Sequence, residues 1–261
     1  MPYTASMTDT RVLPDRLIFV LSVAGFVVFW WLLSWAKAEP RILPAPYEVL
    51  SVMWVEAKSG RLWHHMSATL IRVAFSFGFA MLLGTGLGIL LGRMPRLNRW
   101  LDPWVTIFLN LPALVVIVLC YLWIGLNEVA AIAAVTINKT AMVLVTMREG
   151  ARTLRPDLAE MAQVFRLTPM ARFRHIVLPQ LAPFFATSAR VGLAIIWKIV
   201  LVVEFLGRSS GVGFQIHMKF QMFEIAAVLA YALGFVAVML AVDYLIIQPM
   251  ERRANRWRVQ A

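Results

Sequence analysis

The chain has very little cysteine and few charged residues, and both shortages limit what it can be. Cys120 is the single cysteine among 261 residues, so no disulfide can form within the chain and no thiolate cluster can hold a metal. Only 15% of the residues are charged, whereas 61% are hydrophobic. A soluble domain of this length does not need so much apolar material for its core. The composition therefore predicts an all-α polytopic membrane protein, in which Cys120 is a lipid-facing or a core packing residue.

Motifs for nucleotide chemistry and metal catalysis are also missing. No Gly-x-x-x-x-Gly-Lys-Ser/Thr stretch occurs, so any ATP has to be bound and hydrolysed by a partner. No His-Glu-x-x-His stretch occurs, and the four histidines are scattered, which predicts no metal site. A membrane-embedded enzyme is disfavoured, because paired carboxylates and a nucleophile spaced from a base are absent from the sequence. We expect no enzyme activity and no cofactor in this chain.

Acidic residues are outnumbered, with 14 Asp and Glu against 25 Lys and Arg. The net charge of +11 does not indicate nucleic-acid binding, because the basic residues fall in loops between apolar segments. Six apolar stretches each have the roughly 20 residues that a membrane-spanning helix needs. They cover residues 17–36, 68–91, 105–124, 129–147, 181–206 and 225–247.

The loops on one side of these spans contain fifteen basic residues and those on the other side contain six. The positive-inside rule then places both termini in the cytoplasm. The predicted layout is a cytoplasmic segment at 1–16, a transmembrane domain at 17–250 and a cytoplasmic basic tail at 251–261. No small-residue cleavage site follows the first apolar stretch, which favours a retained helix over a signal peptide. In the outer loop, residues 47–57 predict a short amphipathic helix at the membrane surface.

A charged insert at 157–179 separates two long apolar segments. Pro156 suits a first helical position, and Asp157 and Glu160 place negative charge in a first turn, where the helix dipole favours it. Thr168 followed by Pro169 predicts the start of a second short helix. Two helices this short cannot bury their own apolar residues, so the insert is predicted to dock on another surface.

The insert also resembles a known family. Glu160-x-Ala162 followed by Ile176-x-Leu178-Pro179 is similar to the "EAA" loop of permease subunits of bacterial ABC importers, the loop that docks in a cleft of the ATPase subunit. Further segments resemble the nitrate, sulfonate and taurine branch of these permeases, and they lie at 42–46, 67–73, 102–103, 111–112 and 203–213. Met161 replaces the family's second alanine and Arg166 replaces its glycine. An arginine there must avoid the left-handed backbone or accept a cost of roughly 1 kcal/mol.

The resemblance implies about six transmembrane helices and a cytoplasmic coupling helix within a loop at 148–178, as in type I importers. It implies a homodimer in the bacterial inner membrane, a dimeric ABC ATPase that binds the ATP, and an external solute-binding protein. The residues expected to contact the ATPase or shape the loop are Glu160, Ala162, Arg166, Thr168, Pro169, Leu178 and Pro179.

Ionisable residues inside the spans each need a reason, because a charge at the bilayer centre costs roughly 2.5–3.5 kcal/mol on insertion scales. Lys139, beside Asn138, and Lys198 lie deep in the fourth and fifth spans. We hypothesise that they line a path for an anionic solute, or alternatively pair with carboxylates such as Glu204, itself a candidate for the path. Arg72 and Arg190 lie near span ends and are expected to extend to the interface; Asp243 is a further possible partner for the lysines.

Glycines mark two further places. Gly84, Gly88 and Gly92 recur every four residues, which predicts close helix packing without identifying the partner helix. After Glu204, an outer loop contains Gly207, Gly211 and Gly213. In the resembling family this region adjoins the outer mouth, where the solute-binding protein docks. The alternative is a plain loop with flexible glycines. Pro103, Asn110 and Pro112 predict a static bend in the third span, and a kink that helps gating is the alternative.

The resemblance favours a small anion such as a sulfonate, taurine or nitrate as the solute. An importer of a non-anionic or aromatic solute is the alternative within the same family. An ATP-independent secondary transporter is the alternative outside it. Such transporters often have related halves with broken helices at corresponding positions, whereas the loop at 92–103 is too short to match the insert at 157–179.

Overall fold

A computed structural model describes residues 15–37, 39 and 42–250 of the chain. These residues form helices and no strand, which confirms the all-α prediction. The helices are α1 (Asp15–Lys37), α2 (Pro46–Lys58), α3 (Arg61–Arg93), α4 (Pro95–Asn110), α5 (Ala113–Ile124), α6 (Glu128–Arg152), α7 (Pro156–Val164), α8 (Pro169–Arg172), α9 (Leu178–Gly207), α10 (Val212–Gln221) and α11 (Ile225–Val242). Single π-helical turns follow α8 and α11. The predicted tail at 251–261 and most of the predicted segment at 1–16 lie outside the described residues, so the division of the chain stays a prediction.

Four helical stretches are long and apolar enough to cross a bilayer: Val20–Lys37, Arg61–Arg93, Glu128–Arg152 and Ile225–Met250. The pair α4 and α5 makes a fifth if it is counted as one broken span. The predicted span at 181–206 lies within the 30-residue helix α9, which carries three ionisable residues along its length. Six spans therefore stay a prediction.

The third predicted span is broken rather than continuous. α4 and α5 meet at 97°, with Leu111 and Pro112 between them. Pro112 restricts the residue before it to extended backbone, and Leu111 has φ −67° and ψ 124°. The bend is therefore where proline predicts it, but α4 begins ten residues before the predicted span, at Pro95. Pro103 lies inside α4 without ending it.

Glycines bring α3 into close contact with α6. A Cβ on Gly84 would lie 2.5 Å from Val143 Cβ, one on Gly88 would lie 2.6 Å from the Leu144 carbonyl oxygen, and one on Gly92 would meet Ala151. The structure places this face of α3 against α6, the partner helix that the sequence left open. The contact fixes α3 and α6 side by side, and α9 packs on both.

The outer loop helix predicted at 47–57 forms as α2. Its Glu56 accepts hydrogen bonds from Tyr231 on α11 (2.8 Å) and from Arg61 at the start of α3 (2.9 Å). α1 contacts the chain just before α2, where Trp30 Nε1 donates to the Pro44 carbonyl at 3.1 Å. α2 is thus held against the ends of α3 and α11.

Candidate functional site

A buried charge cluster joins α3, α6 and α9 at one end of the bundle. Arg72 on α3 is 3% exposed. Its Nε and Nη2 donate to the two carboxylate oxygens of Glu128, both at 2.7 Å, and its Nη1 donates to Glu204 Oε1 at 2.6 Å. Nη1 and Nη2 also donate to the backbone carbonyl and hydroxyl of Ser210, both at 2.8 Å. All five N–H groups of the guanidinium therefore have an acceptor.

Glu204 is the most enclosed member of the cluster, with no exposed surface. Besides Arg72, its carboxylate accepts hydrogen bonds from the Thr69 hydroxyl and from the Gly213 backbone N–H, each at 2.9 Å. A buried carboxylate is tolerated only when it is paired and hydrogen-bonded in this way. Arg208 extends the cluster outward by donating to Glu128 at 2.5 Å.

The positions after Glu204 have to be glycine because neighbouring groups lie too close to them for a side chain. A side chain at Gly211 would overlap the Glu204 carboxylate, and Gly211 also has φ 114°, which favours glycine. A side chain at Gly213 would overlap the Leu201 carbonyl, and one at Gly207 would meet Tyr121 at 2.7 Å. This is tight packing against the cluster, not a plain flexible loop.

The turn into α10 is fastened by two side chains of α3. Thr69 Oγ1 accepts the Val212 N–H at 2.8 Å while it donates to Glu204. His65 Nδ1 accepts the Gly211 N–H at 3.1 Å, which requires that this ring nitrogen carries no proton. The other ring nitrogen, Nε2, lies 2.7 Å from the side-chain nitrogen of Gln215. One face of α3 therefore holds both Glu204 and the loop that follows it.

Two expectations from the sequence are corrected here. Arg72 does not extend to the interface, because its guanidinium is enclosed by acceptors from three other segments. Glu204 pairs with Arg72 and not with a lysine. The available signal was the polar spacing on α3, where Thr69, Arg72 and Ser76 lie three and four residues apart and therefore on one face.

The structure separates the two candidate lysines from Glu204 and from each other. Lys139 is buried near the middle of α6 at 8% exposure, with the partly buried Asn138 beside it. Lys198 is exposed and lines a groove of about 510 Å³ between α9 and α11, together with Arg190 and Asp243. Neither lysine forms an ion pair with another described residue, so the predicted pairing with Glu204 or Asp243 is not present.

At the opposite end of α9, the charged insert folds into two short helices as predicted. Pro156 is at the first position of α7, and the Thr168 hydroxyl accepts the Ala171 N–H at 3.3 Å to cap α8. Arg155 Nη2 lies 2.5 Å from Asp157 Oδ2, and this hydrogen bond lowers the pKa of the Asp157 carboxyl below its usual range. The start of α7 therefore keeps its negative charge.

Arg166 adopts the left-handed conformation that glycine would occupy, with φ 49°. The Leu167 N–H donates to the Ala162 carbonyl at 2.9 Å and the Arg166 N–H donates to the Gln163 carbonyl at 3.0 Å. This is the Schellman pattern, which satisfies the last carbonyls of α7. The turn keeps its geometry, and the arginine accepts the conformational cost.

The insert is anchored on one side and exposed on the other. Gln180 in α9 accepts the Arg155 N–H at 3.0 Å and donates to the Ile176 carbonyl at 2.9 Å. Ala162 is buried, whereas Glu160, Thr168, Pro169, Leu178 and Pro179 are exposed. Large apolar side chains are exposed beside them, with Val164 at 78% and Phe165 at 70%. An apolar surface this exposed is typical of a protein contact.

Long apolar helices, a broken span and an exposed two-helix loop define the membrane subunit of a transporter. The chain belongs to the family of binding-protein-dependent transport system inner membrane components, which matches residues 84–248. It is thus a multi-pass permease subunit of an ABC importer, as the loop at 157–179 predicted.

Several relatives have named substrates. The chain is 30% identical over 240 residues to the putative aliphatic sulfonates transport permease protein SsuC of Escherichia coli (strain K12), covering 89% of each sequence. It is 24% identical to the taurine transport system permease protein TauC of the same strain, covering 90% of this chain and 88% of that one. It is 26% identical to the bicarbonate transport system permease protein CmpB of Synechocystis sp., and the match covers 88% of this chain and 85% of that one.

A solved structure shares the fold. An inward-facing conformation of the MetNI methionine ABC transporter superimposes with a TM-score of 0.58 over 72% of this chain and 92% of that chain, at 20% identity. The likeness shows that the helices are arranged as in an importer permease.

Proposed function

We propose that this permease subunit carries a small anion, with sulfonates, taurine, nitrate and bicarbonate as the candidates. The observation that carries the proposal is that three relatives are named for sulfonate, taurine and bicarbonate transport. Each of these solutes has an anionic group. An importer of a non-anionic or aromatic solute is the alternative.

The groove between α9 and α11 supports an anionic solute. Arg190, Ala194 and Lys198 are spaced four residues apart, so the two cations share one face of α9. Asp243, which directly follows α11, also lines the groove. Trp197 and Phe235 supply apolar surface for the uncharged part of a solute. Lys139 is the second candidate cation, buried in α6.

The assembly that this function requires has two copies of the chain, one ATPase dimer and an external solute-binding protein. The exposed apolar residues of α7 and the turn after it form the surface on which each ATPase subunit docks. ATP is bound and hydrolysed by those partners. Both termini lie in the cytoplasm, as the excess of basic residues on that side indicates.

Transport then proceeds by movement and without covalent chemistry in this chain. Closure of the ATPase dimer displaces α7, and the hydrogen bonds of Gln180 pass that displacement to the start of α9. α9 is tied to α3 through Arg72 and Glu204, so the two helices move as one body. Rocking of such a body against its neighbour is a common way to switch a cavity between two sides.

Solute identity is tested by ATPase activity in nanodiscs. The full-length chain, its ATPase and candidate binding proteins are reconstituted with a sulfonate, taurine, nitrate or bicarbonate. We expect one anion-loaded binding protein to stimulate ATP hydrolysis, and Lys198→Met to lower uptake of that anion. Lys58→Met is the matched control, because Lys58 lies outside the groove on α2. Stimulation only by an uncharged solute would overturn the anion proposal.

Docking is tested with Glu160→Lys, which reverses the charge at an exposed position of α7. We expect uptake to stop while the chain remains in the membrane. Glu39→Lys, the same charge reversal at an exposed position outside the insert, is the control. Normal uptake in the Glu160→Lys variant would disprove the docking assignment. Separately, uptake that an ion gradient drives without ATP would favour the secondary-transporter alternative.

A further inference from the structure

We propose that the junction of α3, α4 and α6 binds an anionic phospholipid. The phosphate would occupy a polar pocket at the ends of these helices, and one acyl chain would lie in an apolar groove that continues from it. This site is separate from the solute groove between α9 and α11 and does not depend on which solute is carried.

The polar pocket has a volume of about 450 Å³ and lies where α3 ends, α4 begins and α6 ends. Its lining includes Gly92, Asn98, Arg99, Asp102 and Arg152. The start of the 16-residue helix α4 adds the positive end of a helix dipole, which favours a phosphate. The pocket therefore has both charge and room for a headgroup.

The cations at this pocket exceed the carboxylates. Asp102 is held by Arg148, whose Nη1 also donates to Asn98 Oδ1 at 2.9 Å. Arg152 is paired with Glu149 at 3.0 Å. Arg99 lines the pocket and forms no ion pair with any other residue in the described part of the chain. One positive charge is thus left to be balanced by a ligand.

The apolar groove has a volume of about 300 Å³ between α3, α4 and α6. Leu83, Leu87, Trp104, Phe108, Ile137 and Leu144 are among its lining residues. Leu91 lines both the groove and the polar pocket, so the two spaces adjoin. Polar pocket and apolar groove follow one another in the order of a phospholipid's headgroup and acyl chain.

Two tryptophans indicate the depth of the site. Trp100 is 81% exposed and Trp104 is 61% exposed, both on α4. Tryptophan is enriched at the level of lipid headgroups. The loop that contains Arg93, Arg96 and Arg99 also belongs to the side richer in basic residues, where the leaflet contains more anionic lipid. A second protein chain would have to supply a carboxylate and an apolar segment in the same order, whereas a phospholipid at this depth provides a phosphate followed by an acyl chain.

Native mass spectrometry of the full-length chain, with any subunits that co-purify, tests the headgroup. The chain is titrated with phosphatidylglycerol and, separately, with phosphatidylcholine of the same acyl chains. We expect selective binding of phosphatidylglycerol, and a loss of about fivefold in affinity for each arginine removed in the double variant R99Q/R152Q. The matched control is R93Q/R96Q, which removes the same charge next to the pocket without changing its lining.

The acyl groove is tested with Leu87→Trp, which fills it, against Leu82→Trp on the lipid-exposed surface of the same helix. We expect only Leu87→Trp to weaken phosphatidylglycerol binding. If R93Q/R96Q lost as much affinity for phosphatidylglycerol as R99Q/R152Q, the lipid would be bound by a general basic surface, and the proposed site would be wrong. Equal binding of phosphatidylglycerol and phosphatidylcholine would overturn the site as well. A disulfide between two chains carrying Leu87→Cys in a Cys120→Ser background would show that a second copy occupies the groove, and would overturn it too.

Discussion

The buried pair of Arg72 and Glu204 gives a quantitative prediction. Arg72→Met leaves the Glu204 carboxylate buried with only the Thr69 hydroxyl and the Gly213 N–H as donors, and loss of one partner of a buried ion pair costs about 3–5 kcal/mol of unfolding free energy. Glu204→Met should cost less, because Arg72 keeps its ion pair with Glu128 and its hydrogen bonds to Ser210. The arginine variant should therefore be the more strongly destabilised of the two.

The double variant Arg72→Met/Glu204→Met should be much less destabilised than the sum of the singles. Replacing a buried ion pair by apolar side chains of similar size is often close to neutral. The main remaining cost is the Gly213 N–H without an acceptor, at about 1–3 kcal/mol, because Ser210 is only partly buried and Glu128 keeps its hydrogen bond from Arg208. Thr69 keeps an acceptor, because the His65 carbonyl lies 3.2 Å from its hydroxyl. We expect the double variant to lose about 1–3 kcal/mol of unfolding free energy, less than the loss of about 3–5 kcal/mol in Arg72→Met alone.

The single cysteine provides the assay. Cys120 is 5% exposed in the core, so a fluorogenic thiol reagent reacts with it as the chain unfolds on heating in detergent. The midpoints of thermal unfolding should rank as wild type, then the double variant, then Arg72→Met. Lys198→Met controls for loss of a cation that forms no ion pair within the described residues. A double variant less stable than Arg72→Met would refute the claim that the two charges stabilise each other.

Three further substitutions test local geometry. Gly88→Ala should lower the free energy of unfolding by about 1–3 kcal/mol, because the added methyl group overlaps α6. Gly86→Ala has open space around it and should leave that free energy unchanged or raise it by up to about 1 kcal/mol. Both variants are measured by the thiol assay. Arg166→Gly should slow hydrogen exchange at the end of α7 by relieving roughly 1 kcal/mol of strain, whereas Arg172→Gly, at a helical position, should not slow it. Thr168→Ala should remove about 1 kcal/mol of stabilisation that the hydroxyl cap gives to α8. We expect faster amide hydrogen exchange in α8. Unchanged hydrogen exchange would contradict a role of Thr168 as the cap.

Local features were predictable because their causes are local. Pro156 and the Thr168-Pro169 pair start helices by their own backbone and hydroxyl chemistry, and the structure has both starts. The glycines at 84, 88 and 92 predicted tight packing by their spacing alone. Arg166 was foreseen as a glycine position, although only the structure shows that it takes the left-handed conformation.

Features that depend on distant partners were not predictable in the same way. Arg72 and Glu204 are 132 residues apart, and no local pattern shows that they meet. The sequence therefore assigned Arg72 to the interface and offered lysines as partners for Glu204. The partner of the glycine face was open for the same reason. The position of the bend at Pro112 was predicted, but its angle was not. The 97° between α4 and α5 depends on how these helices pack on others.

α9 connects the two ends of the molecule that the proposed mechanism uses. Its 30 residues span about 45 Å as a continuous helix. Gln180 holds the insert near its first turn, and Glu204 holds α3 and the α10 turn near its last. Under the proposed mechanism, a displacement of α7 would therefore reach the buried pair of Arg72 and Glu204 through one helix. The backbone between α4 and α5 is interrupted at Leu111 and Pro112, and we infer that this is one place where the helices can move relative to the glycine-packed α3 and α6.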